Sequence, residues 1–460
     1  MTIGILPLGR DTFDVPFAEA RLEAMLNRLD AAGYEYTGPR ELLLDANTAR
    51  AALEDVLAAG SSRLLVLQVT FTDATLTLEA AGAGIPISIW AIPEPRAGDR
   101  LRLNAFCGLN LASHALGLRG YQFSWAYADP TSLSVDDLEG LLNAPDGPRE
   151  TPSLKTYETA SKAAERILDH VKGRSIALIG EPPSGFDTCY FDNARLKALA
   201  GIEVDAIPLP QLFERARAAK SEAVELVRQG AASVLEGMEE VDQAQLDRSL
   251  RLKVALDAIC EAGGYGAVAI RCWPEAFTEY GGAVCGPVSM MGEEQVPCAC
   301  EADVYGAVTQ LVLQKCASAP VFLTDVVDID TDDDTAVVWH CGQAPISMRD
   351  PEYAATATVH SNRKMPLLCQ FPLKPGRVTL MRISQALGKP KMVLAGGEVL
   401  KRPMPFAGTS GTLKFDRPAR NVLNDLLSGG VEHHLGLAYG DHRHVLREVA
   451  AGLSLPVLEL

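Results

Sequence analysis

The first third of the chain alternates short apolar runs with longer segments in which apolar residues recur every three or four positions. The apolar runs near residues 3–8, 63–69 and 85–91 predict buried strands, and the segments between them predict amphipathic helices. The same alternation returns between residues 157 and 273. Because this rhythm is typical of parallel sheets covered by helices, we expect two Rossmann-like, doubly wound α/β domains.

The pattern changes after residue 325. Short apolar strands separated by Gly and Asp turns, at 377–383, 391–394 and 411–415, predict an antiparallel sheet or a small β-barrel. The expected fold class is therefore α/β, with a C-terminal mixed domain that contains a β-barrel. We expect three domains: a Rossmann-like domain at 1–155, a second at 156–320 and the barrel-containing domain at 321–460. The polar, Pro-containing stretch 142–153 is predicted to be a surface connection.

Acidic and imidazole side chains lie next to the predicted buried elements around residues 297–343. Glu301 opens a segment of helical periodicity, so its carboxylate is expected in the first turn, where the helix dipole favours an anion. Asp325 directly follows the apolar run 320–324 and is expected at the end of a buried strand, and His340 closes the next strand. Each residue alone is more often a cap or a hydrogen-bonded core group. Together they predict a divalent-metal site, because such groups are costly to bury unless paired.

Further candidates lie at other strand ends. His433 and His434 precede an apolar strand, and side-chain alternation would turn only one of them inward. Aromatic and guanidinium groups after the predicted parallel strands are candidates for substrate binding, since ligands of such sheets bind beyond the carboxyl ends of the strands. These candidates are Arg10, Trp90, Arg271 and Trp273. For Arg271 and Trp273, a structural salt bridge and a core indole are equally good interpretations.

Composition excludes several classes of function. A formal charge of -17 argues against a nucleic-acid or anionic-membrane partner, and no long apolar window or signal peptide is visible, so we expect a cytoplasmic protein. The strand-to-helix loops have no glycine-rich phosphate motif, so no nucleotide cofactor is indicated. Ten irregularly spaced cysteines indicate reduced thiols. A zinc site built from Cys298, Cys300, His340 and Cys341 is a weak alternative, because a second CxxC-type pair is missing.

Three segments carry a family resemblance. They are EADVYG at 301–306, FLTD at 322–325 and GVEHHLGLAYGD at 430–441. In these motifs and in its order of domains, the chain resembles the L-fucose isomerase family, within the group that also contains L-arabinose isomerases. The resemblance covers essentially the whole chain. The chain is shorter than well-known fucose isomerases, and their sugar-contacting residues are not matched here, so the resemblance leaves the sugar open.

The resemblance implies a ketol isomerase whose Glu, Asp and C-terminal His bind a divalent metal, usually Mn²⁺. In this chain these residues are Glu301, Asp325 and one of His433 and His434, of which we favour His434. His340 lies where arabinose isomerases have a fourth ligand, so it is a further candidate for metal or substrate binding. The resemblance also implies a homotrimer or homohexamer in which the loops 10–14 and 90–96 complete a neighbour's active site.

These residue types suit the implied reaction. Interconversion of an aldose and a ketose moves a proton between adjacent carbons through a cis-enediol, and Glu301 and Asp325 are the expected acid/base pair. Oxygen-rich ligands with imidazole suit Mn²⁺, Mg²⁺ or Co²⁺. Two alternatives stay open: an isomerase or epimerase of an anionic (sulfonated or phosphorylated) sugar, which Arg10, Arg96 or Arg271 would contact, and a non-catalytic sugar-binding protein.

Overall fold

The apolar runs of the first segment form one parallel sheet in the computed structural model, which describes residues 2–143 and 151–460. Its strands are β1 (Ile3–Leu8), β2 (Tyr36–Thr37), β3 (Arg63–Gln68), β4 (Ile87–Ala91) and β5 (Ser124–Tyr127). Their order is β2-β1-β3-β4-β5, and every pairing is parallel. The connecting helices are α1 (Val15–Ala31), α2 (Ala46–Ala58), α3 (Thr75–Ala81), α4 (Ala105–Leu118) and α5 (Val135–Leu142).

Local sequence signals account for how these elements begin and pack. Asp14 precedes α1, and its carboxylate accepts a hydrogen bond from the Phe17 amide at 3.3 Å, which satisfies a free donor of the first turn. Leu22 and Leu29 then face the sheet and are buried. Burial of one such side chain contributes about 1.5–3 kcal/mol. The predicted surface connection at 142–153 falls largely on residues 144–150, which lie outside the described residues.

The second sheet is also parallel and is built from the second α/β segment. Its strands are β6 (Ser175–Ile179), β7 (Glu203–Ile207), β8 (Ala267–Ile270) and β9 (Cys298–Ala299), in the order β7-β6-β8-β9. The helices of this segment are α6 (Lys162–Val171), α7 (Asn193–Ala200), α8 (Leu209–Arg217), α9 (Ser221–Ala232), α10 (Gln243–Gly263), α11 (Cys285–Glu293) and α12 (Val304–Ala317).

The third sheet is mixed and mainly antiparallel. Its strands are β10 (Phe322–Asp330), β11 (Thr335–His340), β12 (Thr356–Thr358), β13 (Leu368–Pro372), β14 (Gly376–Ser384), β15 (Lys391–Val399), β16 (Thr409–Phe415), β17 (His434–Tyr439) and β18 (Val457–Glu459). Their order is β12-β13-β16-β11-β10-β17-β14-β15-β18, and β15 also pairs with β16. The strands from β16 to β15 therefore form a closed cycle of pairings. Two helices accompany it, α13 (Ala419–Ser428) and α14 (Arg443–Gly452).

Helix α12 joins the second and third sheets. It contacts β8 on one side and β14 and β17 on the other, and its residues from Val304 to Leu313 are buried. A helix that is apolar on all sides belongs in an interior, which explains why its sequence lacks a polar face. The link from β9 to α12 carries Glu301, so this helix sets the position of that carboxylate. None of the helices among the described residues has the length and hydrophobicity required to cross a membrane.

Candidate active site

A cavity lies where the carboxyl ends of β1, β3 and β8 meet β10 and β11. The first sheet contributes loop residues after β1 and β3, the second sheet contributes the residues after β8 and β9, and the third sheet contributes strand residues and the loop around residue 360. Its lining includes Arg10, Phe13, Phe71, Cys272, Trp273, Glu301, Asp325, Trp339, His340, His360, Arg363 and His433. The cavity thus contains the predicted acidic and imidazole groups, and all three sheets contribute to it.

The sequence predicted that Glu301 would lie in the first turn of a helix, but the structure places it elsewhere. It lies in a short turn between β9 and α12, where Glu301 and Ala302 have φ angles of 58° and 56°. Helix α12 begins afterwards, with Asp303 as its N-cap accepting from the Gly306 amide at 2.8 Å. Positive φ is unusual for residues other than glycine and costs about 1–3 kcal/mol each. This turn directs the Glu301 carboxylate towards the cavity.

Three groups surround the Glu301 carboxylate. Trp273 Nε1 donates to Oε1 at 3.1 Å, and His433 Nε2 lies 2.9 Å from Oε2. His434 Nε2 lies 3.7 Å from the same Oε2. Burial would raise the pKa of Glu301, but the hydrogen bond from His433 and the nearby imidazoles outweigh it and lower the pKa to about 2. The carboxylate is therefore ionised at neutral pH.

Asp325 lies within a strand and not at its end, because β10 continues to Asp330. It pairs with His434 of β17 across the antiparallel ladder, and its Oδ1 lies 3.6 Å from His434 Nε2. Asp325 Oδ1 and His434 Nε2 are both buried, and neither has a hydrogen-bond partner among the described residues. Buried polar atoms without partners are uncommon, because each costs about 1–3 kcal/mol.

Both histidines of the predicted pair are buried and point towards the acids. The expectation that only one would turn inward is wrong, because β17 begins at His434 and His433 precedes the alternating part of the strand. Their rings lie 3.9 Å apart. His340 closes β11, as predicted, and it is buried; its role as a metal or substrate ligand stays a prediction.

A buried ion pair holds His434 in one orientation. Arg382 Nη2 donates to Asp303 Oδ1 at 2.9 Å, and His434 Nδ1 lies 2.9 Å from Asp303 Oδ2. Arg382, Asp303 and His434 are at most 1% exposed. Burial raises the pKa of Asp303, but the Arg382 charge and the His434 contact hold it well below its usual range. Since an ionised carboxylate only accepts hydrogen bonds, His434 Nδ1 carries a proton and Nε2 offers its lone pair.

His340 has the opposite arrangement. Its Nδ1 accepts a hydrogen bond from the Cys341 backbone amide at 2.8 Å. In the neutral ring the proton is then on Nε2, which is buried without a partner among the residues that the structure describes. His434 therefore offers an acceptor to the site, whereas His340 offers a donor.

Two sets of side chains bring potential ligand atoms within 4.8 Å of one another: Asp325, His340 and His434 in one, and Cys189, Glu301, His433 and His434 in the other. Burial raises the pKa of the Cys189 thiol well above its usual value, so the thiol is protonated when no cation is bound. The zinc alternative built on the CxC pair is not assembled, because Cys300 Sγ contacts Cys272 Sγ at 2.7 Å and Cys341 contacts Cys285 at 3.5 Å.

The predicted substrate-binding residues divide into two groups. Arg10 and Trp273 line the cavity, and the Arg10 guanidinium lies 5.7 Å from the centre of the Trp273 ring. Arg271 does not line it, because its guanidinium forms a salt bridge with Glu275 at 2.7 Å. Trp90 does not line it either: β4 continues to Ala91, so the indole lies within the sheet, is 0% exposed and donates to the Ala128 carbonyl at 3.0 Å.

Of the two loops that were expected to complete a neighbouring subunit's active site, one lines the cavity of its own chain and the other does not. Residues 10–14 line the cavity of their own chain through Arg10 and Phe13. Residues 90–96 do not, since Arg96 binds Asp328 at 2.6 Å. Asp328 lies within β10 and is buried. Assembly into a trimer or hexamer remains a prediction.

A larger, more open cleft of about 960 Å³ lies between the first two sheets. Two of its charged residues, Arg119 and Asp187, pair with each other at 2.9 Å. The smaller cavity is the better candidate for catalysis, because its acids and imidazoles retain unpaired atoms.

Comparisons with known proteins agree with this assignment. Residues 4–143 match the N-terminal domain of the fucose/sulfoquinovose isomerase family. The chain is 29% identical to a sulfoquinovose isomerase of Alkalicoccus urumqiensis, over 100% of this chain and 99% of the relative. It is 27% identical to one of Priestia megaterium and 28% identical to one of Clostridium sp. strain MSTE9, in each case over at least 98% of both chains.

The fold, the cavity and these matches define a sugar isomerase, an intramolecular oxidoreductase. The chain is similar to the fucose isomerase-like family, the resemblance that its sequence motifs had indicated.

Sequence reasoning missed four residues that shape the site. Asp303 had a visible signal, because an Asp three residues before a Gly at a helix start is typical of an N-cap. Arg382, His360 and Arg363 had none, since each contacts residues that are far away in the sequence.

Proposed function

We propose that the protein is a divalent-metal-dependent aldose-ketose isomerase that acts on a sulfonated monosaccharide. The observation that carries the metal dependence is the pair of buried atoms Asp325 Oδ1 and His434 Nε2, which face each other at 3.6 Å without hydrogen-bond partners among the described residues. A cation between them would satisfy both. Glu301 belongs to the other set of potential ligands, but its Oε2 lies 3.7 Å from the same His434 Nε2, and we assign it as the third ligand. Two carboxylates and one imidazole suit Mn²⁺, and also Mg²⁺ or Co²⁺.

A metal ion bound there would supply Lewis acidity that stabilises negative charge on the oxygens of the reacting sugar. Glu301 and Asp325 are ionisable groups on the cavity surface, and we assign to them the transfer of a proton between C1 and C2 through a cis-enediol. Trp273 and His433 each donate to one oxygen of Glu301 and so fix its orientation. His340 Nε2–H is placed to donate to a sugar oxygen.

The choice of a sulfonated substrate rests on two supports. The relatives over the full chain are named sulfoquinovose isomerases. The cavity also contains the guanidinium of Arg10, so a cationic group lies close to Trp273, which contacts Glu301. Arg10 is paired with Asp73, but Arg363 also lines the cavity and forms no salt bridge with another described residue. An anionic sugar would offset the cost of burying that cation, and a neutral sugar would not.

The test is isomerisation in D₂O by the purified protein, first stripped with EDTA and then supplied with Mn²⁺, Mg²⁺ or Co²⁺. Sulfoquinovose and its neutral analogue 6-deoxyglucose are the substrates, and deuterium at C1 or C2 is read by NMR. We expect no turnover without metal, recovery with Mn²⁺ and a preference for the sulfonated sugar. Full turnover by the stripped protein would overturn the metal dependence, and failure to convert either sugar with every metal would overturn the isomerase assignment.

A further inference from the structure

Arg363 presents a guanidinium to the cavity without an anionic partner. The side chain is partly buried and lies 5.6 Å from the centre of the Trp273 ring. It forms no salt bridge and no side-chain hydrogen bond with any residue in the ranges 2–143 and 151–460. The guanidinium of Arg10 lies near the same indole, but it is paired with Asp73 at 2.6 Å.

The guanidinium of Arg363 adds a positive charge that no salt bridge within the described ranges compensates, whereas Arg10 is paired with Asp73. Burial lowers the pKa of Arg363, and the charge of Arg10 lowers it further, while the charge of Asp11 raises it. A buried cation is costly unless an anion accompanies it. An anion between the two guanidiniums would therefore be bound by both, and guanidinium can offer two parallel N–H donors to an oxyanion.

The backbone around Arg363 forms a well-defined turn. The amides of Asn362 and Arg363 both donate to His360 Nδ1 at 3.2 Å, and the Lys364 amide donates to the His360 carbonyl at 2.7 Å. Burial, followed by the charge of Arg363, lowers the pKa of His360 to about 3, so the ring stays neutral and can accept both bonds. A turn held in this way reduces the entropy lost on binding.

Trp273 connects this turn to the reacting groups. Its Nε1 donates to Glu301 Oε1, while its ring faces both guanidiniums. A sugar that lies along the indole with C1 and C2 near Glu301 would direct its far end towards Arg363.

We propose that Arg363, together with Arg10, binds the sulfonate group of the substrate and so determines specificity for an anionic sugar. This inference rests on the proposed function and adds the residue that recognises the charged end. Arg363 binds the substrate far from the carbons that react, so it contributes mainly to substrate affinity.

The test compares Arg363→Met with Arg271→Met, a matched control that removes a guanidinium of the Glu275 salt bridge outside the cavity. For Arg363→Met we expect the KM for sulfoquinovose to rise about 10- to 100-fold, because a charged hydrogen bond is lost. The KM for 6-deoxyglucose should stay within about 3-fold of the wild-type value. Arg363→Lys should recover part of the affinity, because it restores the charge but not the planar fork. Arg271→Met should leave the ratio of the two KM values unchanged.

A second measurement separates this inference from the proposed function. Methanesulfonate is titrated calorimetrically into the wild-type protein and Arg363→Met, without any turnover. We expect binding by the wild type and loss of binding in the variant. Equal binding by both proteins, or an equal rise in both KM values, overturns the role of Arg363. If the wild type binds methanesulfonate through Arg363 but isomerises no sugar, the proposed function fails and the anion site stands.

Discussion

Asp303 and Glu301 lie two residues apart, yet the buried carboxylate of Asp303 has a structural role and the partly buried carboxylate of Glu301 faces the cavity. Asp303 caps α12, binds Arg382 through both oxygens and contacts His434, so its hydrogen-bonding capacity is used inside the protein. Glu301 faces the cavity from a left-handed turn, and its Oε2 lies 3.7 Å from His434 Nε2, an atom without a hydrogen-bond partner in the described part of the chain. A fully paired buried acid stabilises the fold, whereas an incompletely paired group at a cavity is available to a ligand.

The same contrast separates the imidazoles. His434 receives its orientation from Asp303 and keeps a lone pair on Nε2, whereas His340 accepts from a backbone amide and keeps a proton on Nε2. Burial alone does not distinguish the two rings, since both are almost fully buried. What distinguishes them is the hydrogen-bond partner of Nδ1, which is the Asp303 carboxylate for His434 and the Cys341 amide for His340.

The largest effect is expected for Asp325→Asn. The amide keeps the size of the side chain but removes its charge and basicity, so turnover should fall by about 10² to 10⁴ with a smaller loss of bound metal. Steady-state kinetics and elemental analysis measure the two quantities. Asp330→Asn is the control on the same strand, because its Oδ1 only accepts from the Asp332 and Asp333 amides. Wild-type turnover in Asp325→Asn would remove this residue from the reaction.

Arg382→Met tests whether the buried ion pair between Arg382 and Asp303 stabilises the fold. Removal of the guanidinium leaves Asp303 buried without its cation, so the free energy of unfolding of the metal-free protein should fall by about 3–5 kcal/mol, as measured in urea. The double variant Arg382→Met with Asp303→Leu should regain part of this loss, since it removes the unpaired charge. A loss below about 1 kcal/mol would show that the ion pair does not support the fold.

His340→Asn separates a donor to substrate from a metal ligand. Because His340 Nε2 carries the proton, we expect metal affinity to stay near the wild-type value and the KM for the sugar to rise about 10-fold. His434→Asn should instead lower metal affinity, and more strongly than His433→Asn, since His433 contacts Glu301 through its Nε2. Loss of metal in His340→Asn would make His340 a ligand and reverse the tautomer assignment.

Trp90→Phe should have the smallest effect. The indole donates one buried hydrogen bond to Ala128 and does not line the cavity, so stability should fall by about 0.5–1.5 kcal/mol with KM unchanged. Thermal unfolding measures the stability and steady-state kinetics measure the KM, both on the same preparation. A change in KM at wild-type stability would restore the sequence-based interpretation of Trp90 as a substrate contact.

The sequence predicted the strands and helices well where hydrophobic periodicity was strong, as in β1, α1 and β3. It also predicted that Glu301, Asp325, His340 and the histidine pair would lie close together, largely through the family motifs. It could not predict the left-handed conformation of Glu301, which depends on the packing of β9 against α12. Arg363 escaped detection because a single Arg in a polar turn has no periodic signal, and its contacts with Arg10 and Trp273 exist only in three dimensions.

The position of His434 at the start of β17 has a consequence for biosynthesis. Asp325 lies on β10 and His434 on β17, so the two side chains can meet only after both strands have been synthesised and have paired. A chain without β17 would lack the histidine that faces Asp325. The proposed metal site would therefore form only once β17 has docked against β10.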